Sequence, residues 1–180
     1  DADNLHIGGS SIAGGLTVTA QSVTQTNDAI VGNGDGITVA NTSLFTVNNG
    51  NSIILDNEDN QFNAIAFASN LGAGGSLDSV SISNAGSLDL QGLRLVNDLT
   101  AVSVSGNIIN SGALDVNGLT TLSANNITLN NNGNDFTDVT IVEGGIVAIT
   151  DANTLNFVAD SSISNSLTVN VLNGNITDDS

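Results

Sequence analysis

One block of sequence returns along this chain, and that internal repeat restricts the fold more than any other feature. Asp1-Ala2-Asp3-Asn4-Leu5-His6-Ile7, followed by Ile12 and Leu16-Thr17-Val18, aligns with two later stretches. The first is Asn84-Ala85-Gly86-Ser87-Leu88-Asp89-Leu90, followed by Leu95 and Leu99-Thr100. The second is Asp151-Ala152-Asn153-Thr154-Leu155-Asn156-Phe157, followed by Ile163 and Leu167-Thr168-Val169. Between them, Ser52–Phe62 aligns with Asn126–Phe136. These starting points set a repeat unit of about 75 residues, with insertions. The expected organisation is a single unit over residues 1–180, with repeats at 1–83 and 84–150 and a partial one at 151–180. The absence of an initiating Met, and a start in mid-motif, suggest a piece of a longer chain.

Within the repeat the recurring element is an apolar–polar–apolar triplet. Leu5-His6-Ile7, Leu16-Thr17-Val18, Ile37-Thr38-Val39, Val80-Ser81-Ile82, Leu114-Asp115-Val116 and Ile127-Thr128-Leu129 are examples. Alternation with period two marks a half-buried strand, and each triplet is too short for a helix. Asn, Gly, Ser and Asp fill the gaps, as turns require. A three-residue strand cannot bury its apolar face alone. Stacking coils so that each strand pairs with the one above solves this. The expected fold is therefore all-β, a right-handed parallel β-helix, with a β-sandwich as the alternative. Coils of about 20 residues would give about nine turns and a rod of roughly 40 Å. Outer triplet positions would point inward. The middle ones (His6, Thr17, Thr38, Asp89, Asp115, Thr168) would point to solvent. Gln61–Asn70 is the one stretch that reads as helix-like.

Composition narrows the function classes. One Arg, no Lys and 18 acidic residues give a net charge of −17, while 39% of residues are hydrophobic. A packed core is compatible with this; a disordered acidic tail is not. Nucleic-acid binding needs cations against phosphates, and an anionic membrane repels such a surface. No apolar run approaches the ~20 residues of a membrane span, and no signal-peptide pattern is read. With no Cys, disulfides are excluded.

Leu114–Phe136, followed by Thr150-Asp151-Ala152-Asn153-Thr154-Leu155, resembles the repeat of large bacterial exoproteins of the filamentous-haemagglutinin type. The likeness is best over residues 99–180 and weakest over Ala68–Ser83. It implies a β-helical shaft, exported by two-partner secretion or as an autotransporter passenger. Such a shaft is extracellular or on the outer cell surface, and host or neighbouring cells are met by other parts of the parent. No match to the amino-terminal secretion domain of that family is found, and none of its binding residues maps here.

Candidate chemistry is sparse. His6, in the middle of a strand triplet, and Arg94, between Leu93 and Leu95, read as surface residues, Arg94 pairing with a neighbouring Asp. No nucleophile or base partners His6, and Asp178-Asp179 is the only adjacent Asp pair, so no catalytic or cofactor-binding residue is assigned. Calcium is the one cofactor considered. Asp56, Glu58 and Asp59 gather oxygen ligands of the type it prefers, although Gln61 stands where an EF-hand loop needs Gly. Gly32–Ile37 resembles a single calcium-binding nonapeptide, a motif that works in tandem. Gly72-Ala73-Gly74-Gly75 reads as an extruded corner, and no regular Thr ladder for ordering ice is evident.

The expected function is a structural shaft of a secreted adhesin, not an enzyme. A glycan- or matrix-binding module is the alternative, and a β-helical polysaccharide-degrading enzyme is a more distant one. Exposed terminal coils would favour end-to-end self-association.

Overall fold

The computed structural model describes residues 3–25 and 34–179. Its strands are all parallel, and they stack as a β-solenoid of about eight turns. The turns number about eight against the nine expected because some coils are long. The coil from Leu5 to its ladder partner Val23 is short, whereas those from Val23 to Ile53 and from Ile53 to Val80 take up much more chain.

Two ladders run the length of the stack. The first joins Leu5–Ile7, Val23–Gln25, Ile53–Leu55, Val80–Asn84, Leu99–Ser103 and Leu119–Ser123, and continues through Asp138–Ile141 to Leu155–Phe157 and Ile176–Asp178. The second joins Leu16–Ala20, Ser43–Val47, Ile65–Ser69, Leu88–Leu90, Asn107–Asn110 and Asn126–Leu129, and ends on Ile146–Asp151 and Ile163–Val171. Alternation within each strand supplies the core. Val80, Ile82, Leu99, Ala101, Leu122, Val139 and Ile141 point inward and are buried, while the residues between them face out. Phe45 lies at the centre of the early coils, edge-on to Phe62 at 6.0 Å and stacked on Phe67 at 6.5 Å.

The third side of the coil changes place. In early coils it precedes the second ladder: Ser10–Ile12, Ile37–Val39 and Gln61–Phe62 stack there. In later coils it follows the second ladder: Leu93–Leu95, Leu114–Val116 and Asp135–Phe136 stack instead, with Leu77 bridged to Leu95. The change falls at Asn84. There the chain turns through Ala85–Ser87 straight into Leu88 and omits the earlier third side.

The sequence repeats therefore do not lie over one another. Ile53–Leu55 belongs to the first ladder, whereas its equivalent Ile127–Leu129 belongs to the second. Likewise Leu5–Ile7 and Leu155–Phe157 lie in the first ladder and Leu88–Leu90 in the second. One repeat spans three turns plus one further strand.

Two expectations need correction. Gln61–Asn70 is not helical. Gln61–Ser69 is a strand, held by parallel pairing with Thr38–Val47 that puts Phe62, Ile65 and Phe67 inside. Thr38, Asp89 and Asp115 do face out, half-buried because neighbouring rungs flank them above and below. Leu167, expected inside, is 45% exposed because no rung covers the last coil.

Candidate functional site

The most demanding chemistry in this fold is inside it. A coil that turns a corner leaves backbone N–H and C=O groups without a strand partner, and burying them unpaired is costly. Buried side-chain amides meet this need, and they do so at equivalent positions of the two repeats.

Asn60 is fully buried. Its Oδ1 accepts from Ile37 N at 2.8 Å and from Gln25 Nε2 at 2.7 Å. Its Nδ2 donates to Gln25 Oε1 at 2.8 Å and to the carbonyls of Leu55 and Ser83 at 3.1 and 3.3 Å. Asn134 holds the equivalent position of the next repeat and makes the same pattern. Its Oδ1 accepts from Leu114 N at 3.1 Å and from Asn110 Nδ2 at 2.7 Å, and its Nδ2 donates to Leu129 O and Thr150 O at 3.2 and 3.3 Å. Asn110 is shorter than Gln25 and reaches its partner with one atom. Its Oδ1 is buried and has no partner among the described residues.

The next corner repeats with a change of residue. The Oδ1 of Asn84 accepts from Phe62 N at 2.7 Å, while its Nδ2 donates to Phe62 O at 3.3 Å, Gly86 O at 3.2 Å and Ser87 O at 2.8 Å. Its side chain thus replaces the strand that Phe62 lacks on that side. Asp151 occupies the same place in the following repeat. Its Oδ1 accepts from Phe136 N at 2.7 Å and its Oδ2 from Asn153 N at 3.0 Å. Burial pushes its carboxyl above the usual range, against the pull of the Phe136 and Asn153 amides, and the charge of Asp135 adds to the rise.

The proposed calcium ligands lie on a turn of this framework. Asn57 closes the turn, its Oδ1 accepting from Asp59 N at 2.8 Å and its carbonyl from Asn60 N at 3.1 Å. The equivalent Asn131 makes the same two bonds, to Gly133 N at 2.9 Å and Asn134 N at 3.1 Å, in a turn without the acids. Glu58 is exposed, and Asp56 and Asp59 are half-buried. Asp59 Oδ2 accepts from Gly34 N at 3.1 Å. Among the described residues no group of three or more His, Cys, Asp or Glu side chains is placed to hold a metal ion. Of the nonapeptide-like stretch, Gly32 and Asn33 lie outside the described residues.

His6 is exposed on an outer row beside Thr24. Arg94 Nε pairs with Asp115 Oδ2 at 2.8 Å on the next coil, as expected. Gly72–Gly74 forms a short 3-10 turn in an extruded loop, with Leu71 62% exposed. Outside the core, side chains link neighbouring coils: Asn126 Nδ2 donates to Asn107 Oδ1 at 3.0 Å, and Asn97 Nδ2 to Asp78 Oδ1 at 2.7 Å. Among the described residues no helix is long and apolar enough to cross a membrane.

The step in cross-section at Asn84 leaves a surface groove of about 630 Å³. Thr38, Gln61, Asn63, Ser87 and Ser105 line it, with Ala40 and Ala85 as its accessible apolar residues, and the side chain of Phe62 is buried beneath. At the second corner the step is bridged, because Asn153 Nδ2 donates to Asp135 Oδ1 at 2.7 Å. The corresponding residues at the first corner are Gly86 and Gln61, and Gly86 has no side chain to send across. Sequence reasoning missed both the buried amides and the groove. The available signal was the pairing of Asn57 with Asn131, Asn60 with Asn134 and Asn84 with Asp151 in the aligned repeats.

Stacked parallel coils with a continuous apolar core and internally paired corners define a β-solenoid repeat protein. A family model described as repeats of unknown function (DUF5649) matches residues 1–69 and again 77–143, and the chain belongs to that family. The gap between the two matches, residues 70–76, contains the extruded loop. No curated protein and no solved structure matches the chain.

Proposed function

We propose that this chain is a shaft segment of a secreted or surface-displayed bacterial exoprotein of the adhesive, filamentous-haemagglutinin-like kind. Its task is to hold another region of its parent away from the cell. The observation that carries this reading is the unbroken stack. Each coil pairs with the next on two continuous ladders, so length is added one coil at a time without a new core design. The advance of three turns plus one strand per repeat also favours a structural role. It carries equivalent surface residues to a different side of the rod in successive repeats, so neighbouring repeats do not present the same residues side by side.

The reading is non-enzymatic and needs no cofactor. Its support is that His6 and Arg94 stand apart on the surface, and that the buried acid Asp151 is engaged with backbone amides. The partners of the parent then lie elsewhere along it.

Surface labelling tests the placement. An antibody raised against residues 99–179 should stain intact cells of the source organism. Staining only after lysis would overturn it. In-frame removal of Gly86–Ala152, one repeat length between the two equivalent corners, tests the shaft role. Images of the parent should show a rod shortened by about three coils, roughly 15 Å, with its far end still folded.

A further inference from the structure

We propose that the groove at the Asn84 corner binds a neutral, hydroxyl-rich chain, a short uncharged oligosaccharide. This goes beyond the shaft reading and does not depend on it. Three observations lead there.

The first is that the groove is left open by residue choice. At the equivalent step of the second repeat, Asn153 reaches over to Asp135 at 2.7 Å. Gly86 stands in its place here, although the position would accept a side chain: a Cβ added at Gly86 meets nothing within 4 Å.

The second is the chemistry of the walls. Gln61 and Asn63 are exposed, and their side-chain amides make no hydrogen bond to other described residues. Ser87 Oγ accepts from Asn107 N at 3.2 Å and keeps its own proton to donate. Amide and hydroxyl groups beside the small apolar surfaces of Ala40 and Ala85 match the hydroxyl edge and C–H face of a sugar. A peptide strand is a poorer fit. It would need a free backbone edge, and Asn84 already occupies both the N–H and the C=O of Phe62.

The third is charge. The chain carries a net charge of −17, and Asp59 lines a smaller hollow of about 250 Å³ that shares Thr38, Gln61 and Ala85 with the groove. Uronates and sialylated chains would be repelled, whereas a neutral glycan would not.

The test is amide chemical-shift mapping on this chain. The probes are trimers to hexamers of glucose, mannose and N-acetylglucosamine, set against galacturonate oligomers of the same lengths. At least one neutral series should shift Gln61, Asn63 and Ser87, with a Kd of about 1 mM or tighter. Gly86→Asn should weaken that binding at least tenfold and leave the melting temperature unchanged. If Gly86→Asn fails to fold, Gln61→Ala serves as the second variant, since Gln61 is exposed and its side chain bonds no other described residue; it should weaken binding severalfold. The proposal is overturned if no neutral probe shifts the groove, if Gly86→Asn folds and binds like the parent sequence, or if the uronates bind equally well.

Discussion

The two buried corners of this molecule perform the same backbone task with different side chains. At the first, Asn84 both accepts from Phe62 N–H and donates to three carbonyls. At the second, Asp151 accepts from Phe136 N–H but, when ionised, has no proton to give. Beneath them Asn60 and Asn134 are the same residue in the same backbone bonds, differing only in that Gln25 meets Asn60 with two bonds and Asn110 meets Asn134 with one. The contrast shows which part of the device the fold cannot vary. The accepting oxygen facing the Phe N–H is present both times, because an unpaired buried N–H has no other remedy. The donating half can be given up, since a carbonyl with two lone pairs tolerates an unfilled position better.

Changes at these residues sharpen the comparison. Asn60→Ala should have the largest effect, a loss of about 4 kcal/mol, because it orphans Ile37 N–H, two carbonyls and both ends of Gln25 at once. Asn134→Ala should cost less, about 3 kcal/mol, since Asn110 already leaves one atom unpaired. Urea midpoints would rank the two. Equal losses would mean that the Gln25 amide adds nothing over Asn110.

Asn84→Asp turns the first corner into the second. It removes the donor to Phe62, Gly86 and Ser87 and buries a carboxylate, and should cost about 2 kcal/mol. The reverse change, Asp151→Asn, removes a desolvated charge but replaces the oxygen that accepts from Asn153 N–H with a donor, so at neutral pH the two effects should offset to within about 1 kcal/mol.

The same pair has opposite pH signatures. The folded pKa of Asp151 is raised above its unfolded value, chiefly by burial. Its contribution is therefore fully present below the unfolded pKa and is lost as pH rises through the folded one. The stability of Asp151→Asn relative to the parent sequence should thus rise as pH rises through that window and be lowest in acid. A difference independent of pH would mean that the carboxyl is not desolvated.

The smallest effect is expected at the surface. Arg94→Ala breaks an exposed pair with Asp115 and should cost less than about 1 kcal/mol, a difference that added salt erases.

Much of this fold is legible residue by residue. The triplets mark the strands, and the alternation within them assigns the inward Leu, Ile and Val correctly through most of the stack. Gln61–Ser69 misleads because its inward residues, Phe62, Ile65 and Phe67, are spaced by three and then two. The three-residue step is the corner at which the strand passes from the third side, at Gln61–Phe62, to the second ladder, at Ile65–Ser69, which a single strand does not reveal. The groove is illegible for a related reason. Gly86 looks like any corner glycine, and only its place opposite Gln61, set against Asn153 opposite Asp135, gives it meaning.

The sequence by itself determined the stack: short alternating strands that can be buried only by pairing with copies above and below. It also marked the repeated Asn positions without saying that they lie inside. Only the tertiary structure decided how the repeats wind, with Ile53–Leu55 on one ladder and Ile127–Leu129 on the other. The physical reason is that in–out alternation is a local property of a few residues, whereas the face a strand occupies depends on the summed length of every coil before it. A corner that drops one side, as at Asn84, rotates everything that follows.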